Sequence, residues 1–145
     1  MDTQAELKED SQAVHLHLTI LQSVIQRMAT NSSSSKAWCI TLVSAILVIV
    51  TDKGKPQYAL LALIPTVLFL VLDAYYLGLE LGFRNAYNAF VKKLHEQALQ
   101  TEDLFVVAPQ GGVLCLFFLS LLSPSVWPFY VTLVAMIYAA KTLVT

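Results

Sequence analysis

The chain has 145 residues, of which 57% are hydrophobic and 13% charged, and its formal net charge is −1. Soluble domains carry about 45–50% apolar and about 25% charged residues, so composition places this chain among membrane proteins. Without a basic excess it makes a poor direct partner for nucleic acid, because phosphate binding needs a basic surface.

The N-terminus, MDTQAELKED, is acidic and polar. It has no basic segment ahead of an apolar core, so no cleaved signal peptide is expected. Residues 4–29 read as an amphipathic helix. Leu7, Val14, Leu18, Leu21, Ile25 and Met28 form a heptad seam once Ser11 is seated between Leu7 and Val14. Leu16, Ile20 and Val24 widen the apolar surface. Such a helix packs on its own chain, forms an oligomer seam, or lies on a membrane. The scarcity of Lys and Arg on its polar face favours packing on protein. The run TNSSSSK, Thr30 to Lys36, is expected to break this helix and cap the next, since serine and asparagine compete for backbone donors.

Ala37 to Thr51 is the first candidate span, with Trp38 as an interface anchor and Lys36 placed to snorkel. It is short, since a span wants about 20 apolar residues. Gly54 and Pro56 stop it in a tight turn. A second span begins at Tyr58 and is apolar to Leu72, with a kink expected at Pro65. Its helical rhythm persists to about Gln100. One helix over that length would be about 64 Å long, so roughly half would project from a bilayer. Gln100 to Gly112 reads as a loop whose apolar patch, Leu104 to Val107, can dip into the interface. Val113 to Leu122 and Phe129 to Val144 are the third and fourth apolar runs, joined by the turn SPSVWP. Four spans are expected. Two spans with a re-entrant C-terminal hairpin are the alternative.

On the four-span reading, Lys8, Arg27, Lys36, Arg84, Lys92, Lys93 and Lys141 share one side, while Lys53 and Lys55 lie on the other. The positive-inside bias then makes both termini cytoplasmic. Tyr58 and Trp127 mark the outer interface, and Trp38, Tyr75 and Tyr76 the inner one.

Little in the chain suggests catalysis. No GxSxG, P-loop or HExxH motif occurs, and no Cys/His spacing fits zinc. His15 and His17 are two apart on a helix, so they point in different directions. Cys39 and Cys115 lie in apolar runs and read as small buried hydrophobes. Lys92, Lys93 and His95 read as a solvated face or topology signal rather than an anion site. No enzyme activity, cofactor or metal is expected.

The segment with most content is LDAYYLGLELGFRNAY, Leu72 to Tyr87. Asp73, Leu77, Glu80 and Arg84 step by four, three and four and share a helical face, with Tyr76, Phe83, Tyr87 and Phe90 on an adjacent aromatic one. A carboxylate at mid-span costs about 2.5–3.5 kcal/mol on insertion scales, less near an interface. Asp73 therefore either accepts hydrogen bonds from a neighbouring helix, from Trp38 or the serine-rich run, or lines a watery vestibule in an oligomer.

Lys36-x-Trp38, the short first span, the tight turn, the proline-bearing second span and LDAYYLGLELGFRNAY together resemble small membrane proteins of bacterial antiviral defence systems. They are loosely similar to the SLATT group of predicted membrane effectors, over roughly Lys36 to Gln97. The resemblance implies a second span running into a cytosolic helix. It also implies a protein that senses membrane disturbance, scaffolds a cytosolic partner or breaches the bilayer. The apolar runs from Val113 to Val144 depart from that group's two-span pattern.

The sequence thus predicts an all-α, multi-pass membrane helical bundle of four short spans with a cytosolic helical layer. Its segments are an N-terminal helix and linker (1–36), a first transmembrane hairpin (37–79), a cytosolic extension (80–108) and a second hairpin (109–145). Val14, Leu18, Leu21 and Ile25, with Phe83, Tyr87 and Phe90, are expected to leave apolar stripes that a homo-oligomer, guessed to be a tetramer, or a cytosolic effector would cover. Asp73, Tyr75, Tyr76, Glu80, Arg84, Trp38 and Trp127 are the interface and vestibule candidates. The expected role is a non-enzymatic inner-membrane defence component, with a small channel or solute transporter as the alternative.

Overall fold

The computed structural model describes residues 11–143, and among these it is all-helical. Helix α1 runs unbroken from Gln12 to Lys53, 42 residues. Ser11, at its N-cap, is extended, so the helix expected over residues 4–29 does not run through Ser11, and its part before Ser11 lies outside the described residues. Leu7 and Lys8 lie outside the described residues.

Thr30 to Lys36 does not interrupt α1. The reason is visible in the hydroxyls. Thr30 Oγ1 donates to the Gln26 carbonyl at 2.9 Å and Ser35 Oγ to the Asn31 carbonyl at 2.9 Å, while Ser32 Oγ crosses to the next helix. Each finds an acceptor without leaving helical geometry, so local preference yields to tertiary packing. The helix ends at Gly54, whose φ of 60° closes it with bonds from Gly54 N to Thr51 O and from Lys55 N to Val50 O.

A 3-10 stretch, Pro56–Ala62, turns the chain into α2, Leu63–His95. Pro65, the expected kink point of the second apolar run, falls in the first turn of α2, where a missing N–H costs little. The α1 helix and the Pro56–His95 arm are each long and apolar enough to cross a membrane.

The C-terminal third differs from expectation. Helices α3, Val113–Leu121, and α4, Trp127–Leu143, do not fold into a hairpin. Leu116 and Phe117 lie beside Gly78, Tyr130 reaches the Phe69 carbonyl, and Leu133 and Ile137 pack with Ala59 and Ala62. The two helices therefore run in series along α2, from its middle back to its beginning. The Ser123 carbonyl bridges the break by accepting from Val126 N and Trp127 N. A sequence turn of Ser and Pro looks the same whether the chain reverses or merely jogs.

Two cores result. One gathers Cys39, Val43, Val50, Ala59, Ala62, Val126, Tyr130, Leu133 and Ile137 near the Gly54 turn. The other joins Leu21, Met28 and Phe83 toward the opposite end. Here the predicted stripes meet each other. Val14, Leu21, Phe83 and Phe90 are buried, and Val24, Ile25 and Tyr87 pack beside them, so α1 and α2 cover one another within one chain. No second copy is needed to cover these side chains. Cys115 is exposed on α3, whereas Cys39 is fully buried.

Candidate functional site: an ion pair between α1 and α2

Between the two cores, α2 presents a carboxylate to α1. Ser32 and Lys36 are four apart and continue the buried α1 stripe of Leu21 and Met28. Both reach Asp73. Ser32 Oγ donates to Asp73 Oδ1 at 2.5 Å, and Lys36 Nζ donates to the same oxygen at 2.8 Å. Oδ2 faces the ammonium at 2.7 Å, off the hydrogen-bonding direction, and accepts no hydrogen bond among the described residues. Lys36 Nζ also contacts Ser32 Oγ at 3.3 Å.

Asp73 is completely buried, whereas the Lys36 side chain keeps 20% of its surface exposed. The charge that lacks solvent is the carboxylate, and Lys36 is its counter-ion. On the adjacent turn Tyr130 Oη donates to the Phe69 carbonyl at 3.0 Å. Three segments of chain thus converge at one level: α1 through Ser32 and Lys36, α2 through Asp73, and α4 through Tyr130.

Of the two readings open for Asp73, this geometry is that of a neighbouring-helix partner. The serine-rich run supplies a donor, as expected. Trp38 does not, being 62% exposed. Lys36, read as a snorkelling residue, supplies the charge. The signal that could have found it is its place on the heptad stripe, four residues after Ser32 and three before Cys39.

The remaining candidates separate. Glu80 is buried and pairs with Arg84 at 2.7 Å, while the Arg84 side chain is 59% exposed. Tyr75 and Trp127 are exposed, and Tyr76 packs on the second core. The face containing Asp73 and Glu80 adjoins a seam of small residues, Ala74, Gly78, Gly82 and Ala86, all buried. A Cβ on Gly78 would stand 3.2 Å from Phe117 N, and one on Gly82 would stand 2.7 Å from Pro109 Cβ. Glycine here is what lets α3 and its approach lie against α2.

His17, set aside with His15 as a metal ligand because the two point in different directions, has a buried ring that lies 4.3 Å from that of Phe90. Its Nδ1 accepts a hydrogen bond from Phe105 N at 3.0 Å. His15 is exposed. No group of three His, Cys, Asp or Glu among the described residues could hold a metal. Comparison with known proteins returned no matching family model, curated protein or solved structure.

Proposed function

We propose that this protein is a multi-pass inner-membrane component of a bacterial antiviral defence system, acting without catalysis as a membrane platform for a cytosolic partner. The observation that carries the membrane part is a belt of exposed apolar side chains. It includes Val48 and Ile49 on α1, Ile64, Val67 and Leu68 on α2, Leu114 and Phe118 on α3, and Val131 on α4. A soluble monomer rarely exposes so much contiguous apolar surface. The defence part rests on the resemblance of Lys36 to Gln97.

The platform reading is preferred to a resting pore because Asp73 is sealed inside the protomer, not turned to a vestibule. The effector reading survives as a triggered state in which the Lys36–Asp73 pair opens. A channel or transporter has less support, since its midplane would normally hold broken helices around a polar site.

The helices in series favour three passes, with N-terminus inside and C-terminus outside. Arg27, Arg84, Lys92 and Lys93 then lie inside, against Lys53, Lys55 and Lys141 outside. This departs from the expectation that both termini are cytoplasmic. A reporter fused after Thr145 should behave as periplasmic, and a cytoplasmic signal there would refute three passes. Resistance to carbonate extraction tests the membrane itself. For the platform, a cytosolic protein should co-purify from phage-challenged cells, resting cells should exclude dye, and loss of the chain should raise plaque counts. Dye entry into resting cells would instead indicate a pore.

A further inference from the structure

We propose that His17 is a proton-operated latch, which holds the segment 98–110 against α1 and α2 while neutral and releases it when charged. That segment leaves α2 after Gln97 and returns along the helices to Gln110, whose N–H donates to the Gly82 carbonyl at 2.9 Å. Three ties fix it between those points, the first and third to the helices and the second within the segment itself. Lys93 Nζ bonds Asp103 Oδ1 at 2.7 Å, Asp103 Oδ2 accepts from Gln100 N at 3.1 Å, and Phe105 N donates to His17 Nδ1.

The third tie requires one protonation state. A ring nitrogen that accepts carries no proton, so His17 is the neutral tautomer with its proton on Nε2. The imidazolium has no acceptor left. It would also face the Phe105 N–H with another N–H, in a buried slot beside Phe90. Phe105 meanwhile sits at φ 63°, a left-handed conformation that L residues avoid. Its bond to His17 and its edge-on ring contact with that imidazole keep it there. Once the bond is gone, the backbone gains by relaxing.

Among the described residues, the charged groups facing His17 are few. The strap offers Asp103, which draws a proton toward the ring, and Asp103 is itself engaged by Lys93 of α2. Helix α1 carries no Asp, Glu, Lys or Arg from Ser11 to Gln26. Burial outweighs Asp103 and holds the imidazole below its ordinary 6.5. A depressed value means that the latch is fully closed above 6.5 and opens as pH falls through the lowered value. Opening frees Phe105, Val106 and Val107, an apolar run already exposed to solvent. The latch depends only on contacts among α1, α2 and the strap, so it stands apart from the membrane reading.

Hydrogen exchange of strap peptides tests it on the full chain in detergent, at about pH 7.5 and about pH 5.5, corrected for intrinsic exchange. Protection at Phe105 should fall about tenfold on acidification in the unmodified protein. His17→Asn, which cannot take up a proton here, and His17→Leu, which cannot accept, should both lose the pH response. Leucine should leave the strap open throughout. A double variant, His15→Asn with His95→Asn, should keep the response. Equal protection at both pH values in the unmodified protein would overturn the latch. So would a response that persists in His17→Asn or vanishes in the double variant.

Discussion

Lys36 Nζ stands within 2.8 Å of both carboxylate oxygens of Asp73, and only the lysine of the two touches solvent. Removing one partner from such a pair strands the other charge. Asp73→Leu should therefore lower stability, and Lys36→Met should lower it further, since that change leaves the sealed carboxylate unpaired. The expected loss is about 3–5 kcal/mol for the lysine variant. The double variant should cost less than the sum of the two. Unfolding in detergent, arranged as a double-mutant cycle, measures the coupling. Additive losses would mean that the pair is not a brace.

The glycine seam sets how closely α3 approaches α2. Gly78→Val should destabilise by about 1–3 kcal/mol, because the obstacle is the backbone of Leu116 and Phe117 and not a side chain that can swing aside. Gly112→Ala, whose Cβ would make only ordinary contact with Cys115, should be far milder. Thermal unfolding of the two variants side by side checks the contrast.

Two phenylalanines should behave in opposite ways. Phe90 is buried between α1 and α2, so Phe90→Ala should cost about 3–5 kcal/mol. Phe105 is half exposed at a left-handed φ, so Phe105→Gly should be neutral or stabilising by about 1 kcal/mol. If a cytosolic partner binds the strap, Phe105→Gly should nonetheless lose it. Co-purification alongside a melting curve separates these effects.

Acid should loosen the strap in two stages. Lys93 and the Gln100 N–H hold the Asp103 carboxyl below its usual 3.8. Its contribution is thus present above 3.8 and lost only as pH falls through the lowered value. Asp103 is partly exposed and surface pairs contribute about 0–1 kcal/mol, so this second stage should be small. Asp103→Asn should remove it and keep a His17 stage, with the imidazole held still lower for want of the Asp103 charge, read by the same exchange experiment.

Much of the local architecture was legible because it rests on local signals. Gly54 and Pro56 stop helices by their own chemistry, and the apolar rhythm through Leu72 to Phe90 carried α2 past its greasy part. The serine run pointed to Asp73. Other features depend on what lies across the interface. Ser32 stays helical because Asp73 gives its hydroxyl a partner, and no window around Ser32 contains that fact. His17 is the buried residue where the heptad reading placed Leu18, because it meets Phe90 and a strap some ninety positions away in sequence. The stripes of α1 and α2 were each recognised, but amphipathicity does not say which stripe covers which.

The unbroken course of α1 through its serines has a mechanical consequence. A rod without a hinge passes rotation on undiminished. From Ser32, where α1 meets Asp73, to Gln12 is about 30 Å of helix. A tilt of about 10° imposed on its greasy half would thus swing the Gln12 end sideways by about 5 Å, roughly one helical pitch. The chain is built as a lever, with its fulcrum where α1 and α2 are joined by charge.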